Sequence, residues 1–245
     1  MTMQGRTVVV TGASRGIGRA IAQRFSIERA RVIGTRTSEV SKSSGDPSCD
    51  EPCEEWIVAD FANLADIRNC SERLKEIRPD VLVNNAGINV VSPLVDIDLE
   101  DFARVQMVNL HAPLAFCQAV VPAMKERNWG RIVNIASVWG VVSKAHRASY
   151  SASKFGLDGL TVALAAEHTA DGILANCVGP GFIDTELTRS NLGEAGIRAM
   201  LAGVPAGRLG TAEEVASLVL WLASEENTFV AGQHLVVDGG FTRVG

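Results

Sequence analysis

Tyr150 and Lys154 stand four residues apart in a stretch of helical periodicity, which sets both side chains on one face, a turn apart. Such a pair can exchange protons. A free phenol has a pKa of about 10, too high for efficient transfer near neutrality, and a neighbouring ammonium stabilises the phenolate and lowers it. Tyr150 is also the only tyrosine in the chain. Ser137 follows the β-branched run Arg131–Ile135. At the carboxyl end of a parallel strand its hydroxyl could hydrogen-bond a substrate oxygen. Together these residues offer acid–base work on a carbonyl or alcohol oxygen.

Near the N-terminus the apolar run Thr7–Val10 leads into Thr11-Gly12-Ala13-Ser14-Arg15-Gly16-Ile17-Gly18 and then into a helical pattern. Glycines on a strand-to-helix turn let backbone N–H groups approach a pyrophosphate, place its charge at the positive end of the helix dipole, and allow helix and strand to pack closely. The second strand ends in Thr35-Arg36-Thr37, about 20 residues past the turn, where an NAD-binding protein usually offers an acid to the ribose hydroxyls. An acid there would repel a 2′-phosphate, whereas Arg36, with Arg15 from the turn, could pair with it. The expected cofactor is therefore NADP(H).

The elements that must position these groups alternate. Strands are expected at Thr7–Val10, Arg31–Gly34, Trp56–Val58, Val81–Asn84, Arg131–Ile135, Leu174–Val178 and Leu235–Val237, with helices near Ile17–Phe25, Ala65–Ile77, Leu99–Arg127, Ser149–Thr169 and Ala212–Ala223. That order predicts an α/β fold: a single-domain Rossmann architecture over residues 1–245, with a doubly wound parallel sheet of about seven strands and helices on both faces. Residues 37–55 are rich in Ser, Pro, Gly and acids, lack an apolar period and read as loop.

Composition removes several other classes. With 47% hydrophobic and 21% charged residues the chain can bury a large core. A formal net charge of −5 and the lack of a Lys/Arg run argue against nucleic acid. No signal-peptide pattern precedes the first strand, and no apolar run reads as membrane-spanning, so a cytoplasmic location is expected. The five cysteines are odd in number and argue against a disulfide framework. Cys49 and Cys53 lack the partners of a tetrahedral site, so no metal is expected.

The glycine spacing, together with Asn84-Asn85-Ala86-Gly87, Ser137, Tyr150-Ser151-Ala152-Ser153-Lys154 and Pro180-Gly181 in this order, resembles the short-chain dehydrogenase/reductase family over essentially the whole chain. That resemblance implies a tetrad: Tyr150 as acid/base, Ser137 on the carbonyl, Lys154 on the nicotinamide ribose, and Asn109 positioning a relay water. It further implies that Ala86 and Gly87, with Asn85, lie beside the adenosine ribose and that Asp60 and Phe61 lie near the adenine. In Pro180-Gly181-Phe182-Ile183-Asp184-Thr185, the Ile183 backbone and Thr185 hydroxyl would hold the carboxamide, and 186–204 would form a mobile substrate lid. A homotetramer, with the helices at Leu99–Arg127 and Ser149–Thr169 at one interface, is also implied.

The C-terminal half, including Val204-Pro205-Ala206-Gly207-Arg208-Leu209-Gly210, is most similar to bacterial 3-oxoacyl-(acyl-carrier-protein) reductases. The arginines those enzymes present to the acidic carrier correspond here to Asn128 and Asp171, which puts carrier docking in doubt. The substrate is then a 3-oxoacyl thioester or another small carbonyl compound. Lys144, His146 and Arg147, between Ser137 and Tyr150, keep open an anionic sugar or surface-polysaccharide precursor, or simply a solvated loop. Two other classes stand beside the reductase: a sugar-nucleotide epimerase, whose relatives usually carry a further C-terminal substrate domain, and a non-catalytic NADP-binding regulator, which would be expected to have lost a tetrad residue. Net oxidation of NADPH by a ketone separates the reductase from both.

Overall fold

In a computed structural model describing residues 2–38 and 51–244, seven parallel strands form one sheet in the order β3-β2-β1-β4-β5-β6-β7. The strands are β1 Thr7–Val10, β2 Arg31–Arg36, β3 Glu55–Val58, β4 Val81–Asn84, β5 Gly130–Ile135, β6 Ile173–Pro180 and β7 His234–Val237. The helices are α1 Gly16–Ile27, α2 Leu64–Ile77, α3 Leu99–Gln106, α4 Ala112–Glu126, α5 Ala148–His168, α6 Glu186–Leu201 and α7 Ala212–Ala223. Every expected strand is present, some longer by one to three residues. Most of the stretch expected as loop, and Cys49 with it, lies outside the described residues.

Alternation along the strands divides the core in two, because successive side chains leave a strand on opposite faces. Val8, Val10, Val81, Val83, Val133 and Ile135 pack on α1 and α7. Val9, Leu82 and Ile132 pack on α2, α4 and α5. Parallel strands covered on both faces carry near-continuous apolar runs, which is why Thr7–Val10 and Val81–Asn84 show no polar alternation. β1 pairs with β2 on one side and β4 on the other, so the chain reverses its winding there and a crevice opens above the carboxyl ends of β1 and β4.

The single helix expected over Leu99–Arg127 is continuous but not uniform: α3 passes through a π-helical turn, Met107–His111, before α4 begins. By length and composition the run Leu99–Glu126 could cross a membrane, contrary to the sequence reading, but 61% of its most apolar window is buried inside the protein. It is a core helix, and Phe116 and Met124 from it are fully buried. Residues 186–204, read as a lid, contain α6.

Helix N-termini differ in a way that matters for the site. Asn63, Asp98, Thr185 and Thr211 cap α2, α3, α6 and α7 with their side chains, Thr211 through a reciprocal box with Glu214. The starts of α1 and α5 have no side-chain cap and no acid in the first turn. Both of these starts border the crevice, and their first N–H groups have no side-chain acceptor.

Candidate active site

The glycine turn is held from outside. Gly12 adopts φ +65° and its N–H donates to Thr35 Oγ1 (3.0 Å). Asn85 Nδ2 donates to the carbonyls of Thr11 (2.9 Å) and Gly12 (3.1 Å). Thr11 Oγ1 in turn accepts from the N–H groups of Asn85 (2.9 Å) and Ala86 (3.0 Å). A Cβ at Gly18 would overlap the Gly12 carbonyl oxygen and Asn85 Nδ2, so that position must be glycine for α1 to sit this close to the turn. Ser14, Arg15 and Gly16 are exposed at the lip, and Ile17 packs down on the core.

Arg36 ends β2 with its guanidinium 4.9 Å from the centre of the Trp56 ring. Its Nε is buried with no hydrogen-bond partner among the described residues. Thr37 follows, exposed. At the β3 end, Asp60 is exposed and accepts from Ala62 N–H (3.0 Å). Phe61 points inward onto Phe116, ring centres 4.9 Å apart, so only its backbone can serve a ligand. Gly12 and Arg15 follow β1, Arg36 and Thr37 stand at the end of β2, Asp60 follows β3 and Gly87 follows β4, so all six lie at the carboxyl ends of neighbouring strands.

The four residues of the tetrad converge on the other half of the crevice. Ser137, buried after β5, accepts from Trp139 N–H (3.2 Å) at the start of a 3-10 turn. Its hydroxyl lies near the Tyr150 phenol and works against the upward shift of that phenol. Lys154 is buried and donates to the Ile135 carbonyl (2.7 Å), with its Nζ 5.5 Å from the Tyr150 ring centre. Asn109 sits in the π-helical turn, where the extra residue turns its amide inward. Its Oδ1 accepts from Ile88 N–H (2.9 Å) and its Nδ2 donates to the Ile88 carbonyl (2.9 Å) and Ser153 Oγ (3.0 Å). A Cβ on Gly87 would lie 3.4 Å from Asn109 Oδ1 and 3.6 Å from Lys154 Nζ, so both groups border the same small space.

The electrostatics depart from the sequence reading at one point. Burial pushes the Tyr150 phenol up, and the groups that pull it back are the Ser137 hydrogen bond and the charge of Arg147. Lys154 Nζ stands 5.5 Å from the ring centre rather than at the hydroxyl. Its own ammonium is pushed down to about 8 by burial.

Beyond β6 the chain folds back over the crevice. Gly181 N–H donates to Val237 O (2.9 Å), Ile183 bridges to Gly210, and Asp184 N–H donates to Gly210 O (2.8 Å). Thr185 caps α6 by accepting from Thr188 N–H (3.2 Å). Its methyl would be 3.7 Å from a Cβ on Gly16, which closes the segment Pro180–Thr185 over the glycine turn.

Sequence reasoning missed two supports. His234 on β7 is almost enclosed, with Nδ1 3.3 Å from Asp158 Oδ1, and its ring fills the space beside Gly140 and Gly179 that a side chain there would need. Trp139, Phe182 and Phe241 form an aromatic cluster with ring centres 5.0–6.1 Å apart. Each joins residues distant in sequence, and no local spacing signals either one.

Residues 12–242 match the family described as enoyl-(acyl carrier protein) reductase. The chain is 39% identical, over the full length of both proteins, to a 3-oxoacyl-(acyl-carrier-protein) reductase of Salmonella typhimurium. Among solved structures, it resembles one of a putative NAD(P)-dependent gluconate 5-dehydrogenase from Beutenbergia cavernae with bound NADP (TM-score 0.90, 38% identity, 98% of each chain). It also resembles a putative 2-deoxy-D-gluconate 3-dehydrogenase from Agrobacterium tumefaciens with bound NADP (TM-score 0.88, 32% identity, 98% of this chain and 97% of that one). With a glycine-turn crevice on one side and Ser137, Tyr150 and Lys154 on the other, the chain belongs to the short-chain dehydrogenase/reductase family.

Proposed function

We propose that Tyr150 is the proton donor and acceptor of this NADP(H)-dependent oxidoreductase, which interconverts a ketone and a secondary alcohol. The observation that carries the assignment is the convergence of the Ser137 and Tyr150 hydroxyls at the carboxyl end of β5 with Lys154, which is anchored on Ile135 with its Nζ 5.5 Å from the Tyr150 ring centre. A carbonyl oxygen seated between these two hydroxyls accepts from both. In the reducing direction Tyr150 gives up its proton to that oxygen, and Ser137 stabilises the negative charge developing on it. Lys154, fixed at Ile135, presents the remaining N–H donors of its ammonium to a ribose. Asn109 keeps Ile88 and Ser153 in place and borders the space in which a water can join Lys154 to solvent.

The residues present fit the cofactor. An uncapped α1 behind a glycine turn suits a pyrophosphate, and the unpartnered Nε of Arg36 suits a 2′-phosphate. Gly12, Ser14, Arg15, Gly16, Ile17 and Gly18 would cradle the phosphates, with Arg15, Arg36 and Thr37 on the 2′-phosphate. Asp60, Phe61, Asn85, Ala86 and Gly87 would line the adenosine half. Pro180, Gly181, Ile183 and Thr185 would hold the carboxamide. When bound, NADP(H) supplies or takes up the hydride.

The substrate we assign is a small free carbonyl compound or alcohol rather than a carrier-bound thioester. Asn128 is exposed beside Gly172, and Asp171 is already paired with Lys125 (2.9 Å) and His168 (3.0 Å). Neither of these two positions offers an arginine to an acidic carrier. A homotetramer fits the exposed Leu114 on α4 and Phe155 and Val162 on α5, and a cytoplasmic location is part of the same reading.

The test is NADPH consumption with a panel of small ketones. Wild-type protein should oxidise NADPH, and Tyr150→Phe should reduce turnover by a factor of roughly 100 or more while binding NADPH as before. Undiminished turnover in that variant would overturn the assignment.

A further inference from the structure

The segment from Val138 to Leu157 carries Lys144, His146, Arg147 and Lys154 and no acid, in a chain whose formal net charge is −5. The catalytic reading uses Lys154 alone. Arg147 stands at the start of α5, where its carbonyl accepts from Ser151 N–H (2.7 Å) and fixes the first turn. It lies three residues before Tyr150, or about 4.5 Å along a helix axis. Arg147 is half-buried, and its Nε is inaccessible and without a hydrogen-bond partner. Its charge acts on the Tyr150 phenol, so the guanidinium and the reacting hydroxyl share one neighbourhood. Neither Arg147 nor Lys144 has an acidic partner among the described residues.

Lys144 reaches the aromatic cluster. Its Nζ is 5.2 Å from the centre of the Trp139 ring, and Trp139 meets Phe182 and Phe241 edge-on. The loop between the two cations is anchored by Val142 N–H on Val138 O (2.9 Å) and by the Ser143–Ser151 hydroxyl contact (2.8 Å). A half-buried cation whose Nε makes no hydrogen bond is costly unless something bound satisfies it.

We propose that Arg147, assisted by Lys144, is a substrate-reading site for a carboxylate, so that the substrate is a small hydroxy acid or keto acid whose reacting carbon lies a few bonds from its anionic group. A guanidinium fork matches the two oxygens of a carboxylate. The aromatic wall of Trp139, Phe182 and Phe241 then receives the less polar face of the carbon skeleton. This inference rests on the ketone–alcohol reading above and adds the chemical class.

The experiment compares matched substrates with NADP+ or NADPH: D-gluconate against D-sorbitol, acetoacetate against its methyl ester, and fructose phosphate against fructose. Wild-type kcat/KM should favour the carboxylate member by about tenfold or more, the scale of one hydrogen bond to a charged group. Arg147→Gln should bring that ratio close to one, mainly through KM. Arg147→Lys should restore part of it, and Lys144→Gln should reduce it less. An equal loss for charged and neutral members, with a shifted pH profile, would mean that Arg147 acts only through Tyr150 and would overturn the proposal. A preference for the phosphate pair alone would also overturn it.

If no member of any pair is turned over, the ketone–alcohol reading itself is in trouble, and calorimetric titration of D-gluconate into the NADP+ complex decides the subsite separately. Binding weakened about tenfold or more by Arg147→Gln supports it, again on the scale of a charged hydrogen bond. Binding that is absent, or the same in both proteins, overturns it.

Discussion

Lys154 donates to the carbonyl oxygen of Ile135 at 2.7 Å, inside a space with almost no solvent. That bond orients the side chain but does not repay the loss of hydration, and burial brings the ammonium down from 10.5 to about 8. A lysine depressed in the folded state costs stability wherever it is charged. The unfolded chain binds more protons between the two pKa values, so stability rises with pH through that interval. Lys154→Met should therefore stabilise the ligand-free protein near neutrality by about 1–3 kcal/mol while abolishing turnover. Denaturant titration at pH values either side of the interval checks this, and a less stable variant would contradict it.

His234 gives the opposite end of the pH scale. Its imidazole is pushed below the usual histidine range by burial, against the attraction of the nearby Asp158 carboxylate, with Lys154 adding a repulsion. Below about pH 6.5 the unfolded histidine takes a proton that the folded one resists. Stability should thus fall as pH drops from about 7 to 5, and His234→Gln should flatten that slope. An unchanged slope would show that other groups set the acid limit.

Arg36 and Arg15 are the residues proposed to hold the 2′-phosphate. Replacing each by Ala should raise KM for NADPH about 10- to 100-fold, the scale of lost hydrogen bonds to a charged group, and leave KM for NADH nearly constant. Parallel titrations with both nucleotides measure the ratio. Equal effects on the two would remove the 2′-phosphate from the argument.

Gly18→Ala tests the turn itself. The added methyl meets the Gly12 carbonyl and the Asn85 amide, neither of which can move without opening the contacts that hold β1 to β4. A loss of about 1–3 kcal/mol is expected from the overpacking, together with weakened binding of NADPH. Wild-type affinity in this variant would mean that the turn can shift freely.

Much of this was legible along the chain. The glycine turn, the Tyr150–Lys154 spacing and the β-branched runs are local patterns, and local patterns are set by helix and strand periods of a few residues. They specified the alternating elements, the parallel sheet and the crevice end of the site. The π-helical turn at Met107–His111 was not legible, because its extra residue is accommodated by packing rather than announced by composition.

What the sequence by itself determined, then, is the order of elements, the family and the candidates for the chemistry: acid–base groups one helical turn apart, and arginines where an acid would otherwise stand. The tertiary structure decided their charges and neighbours. Only the folded chain shows Lys154 committed to Ile135, its Nζ 5.5 Å from the Tyr150 ring centre, and His234 beside Asp158. The physical reason is that burial and Coulomb interaction depend on distance in space, and these pairs are joined by the order of strands in the sheet rather than by their separation along the chain.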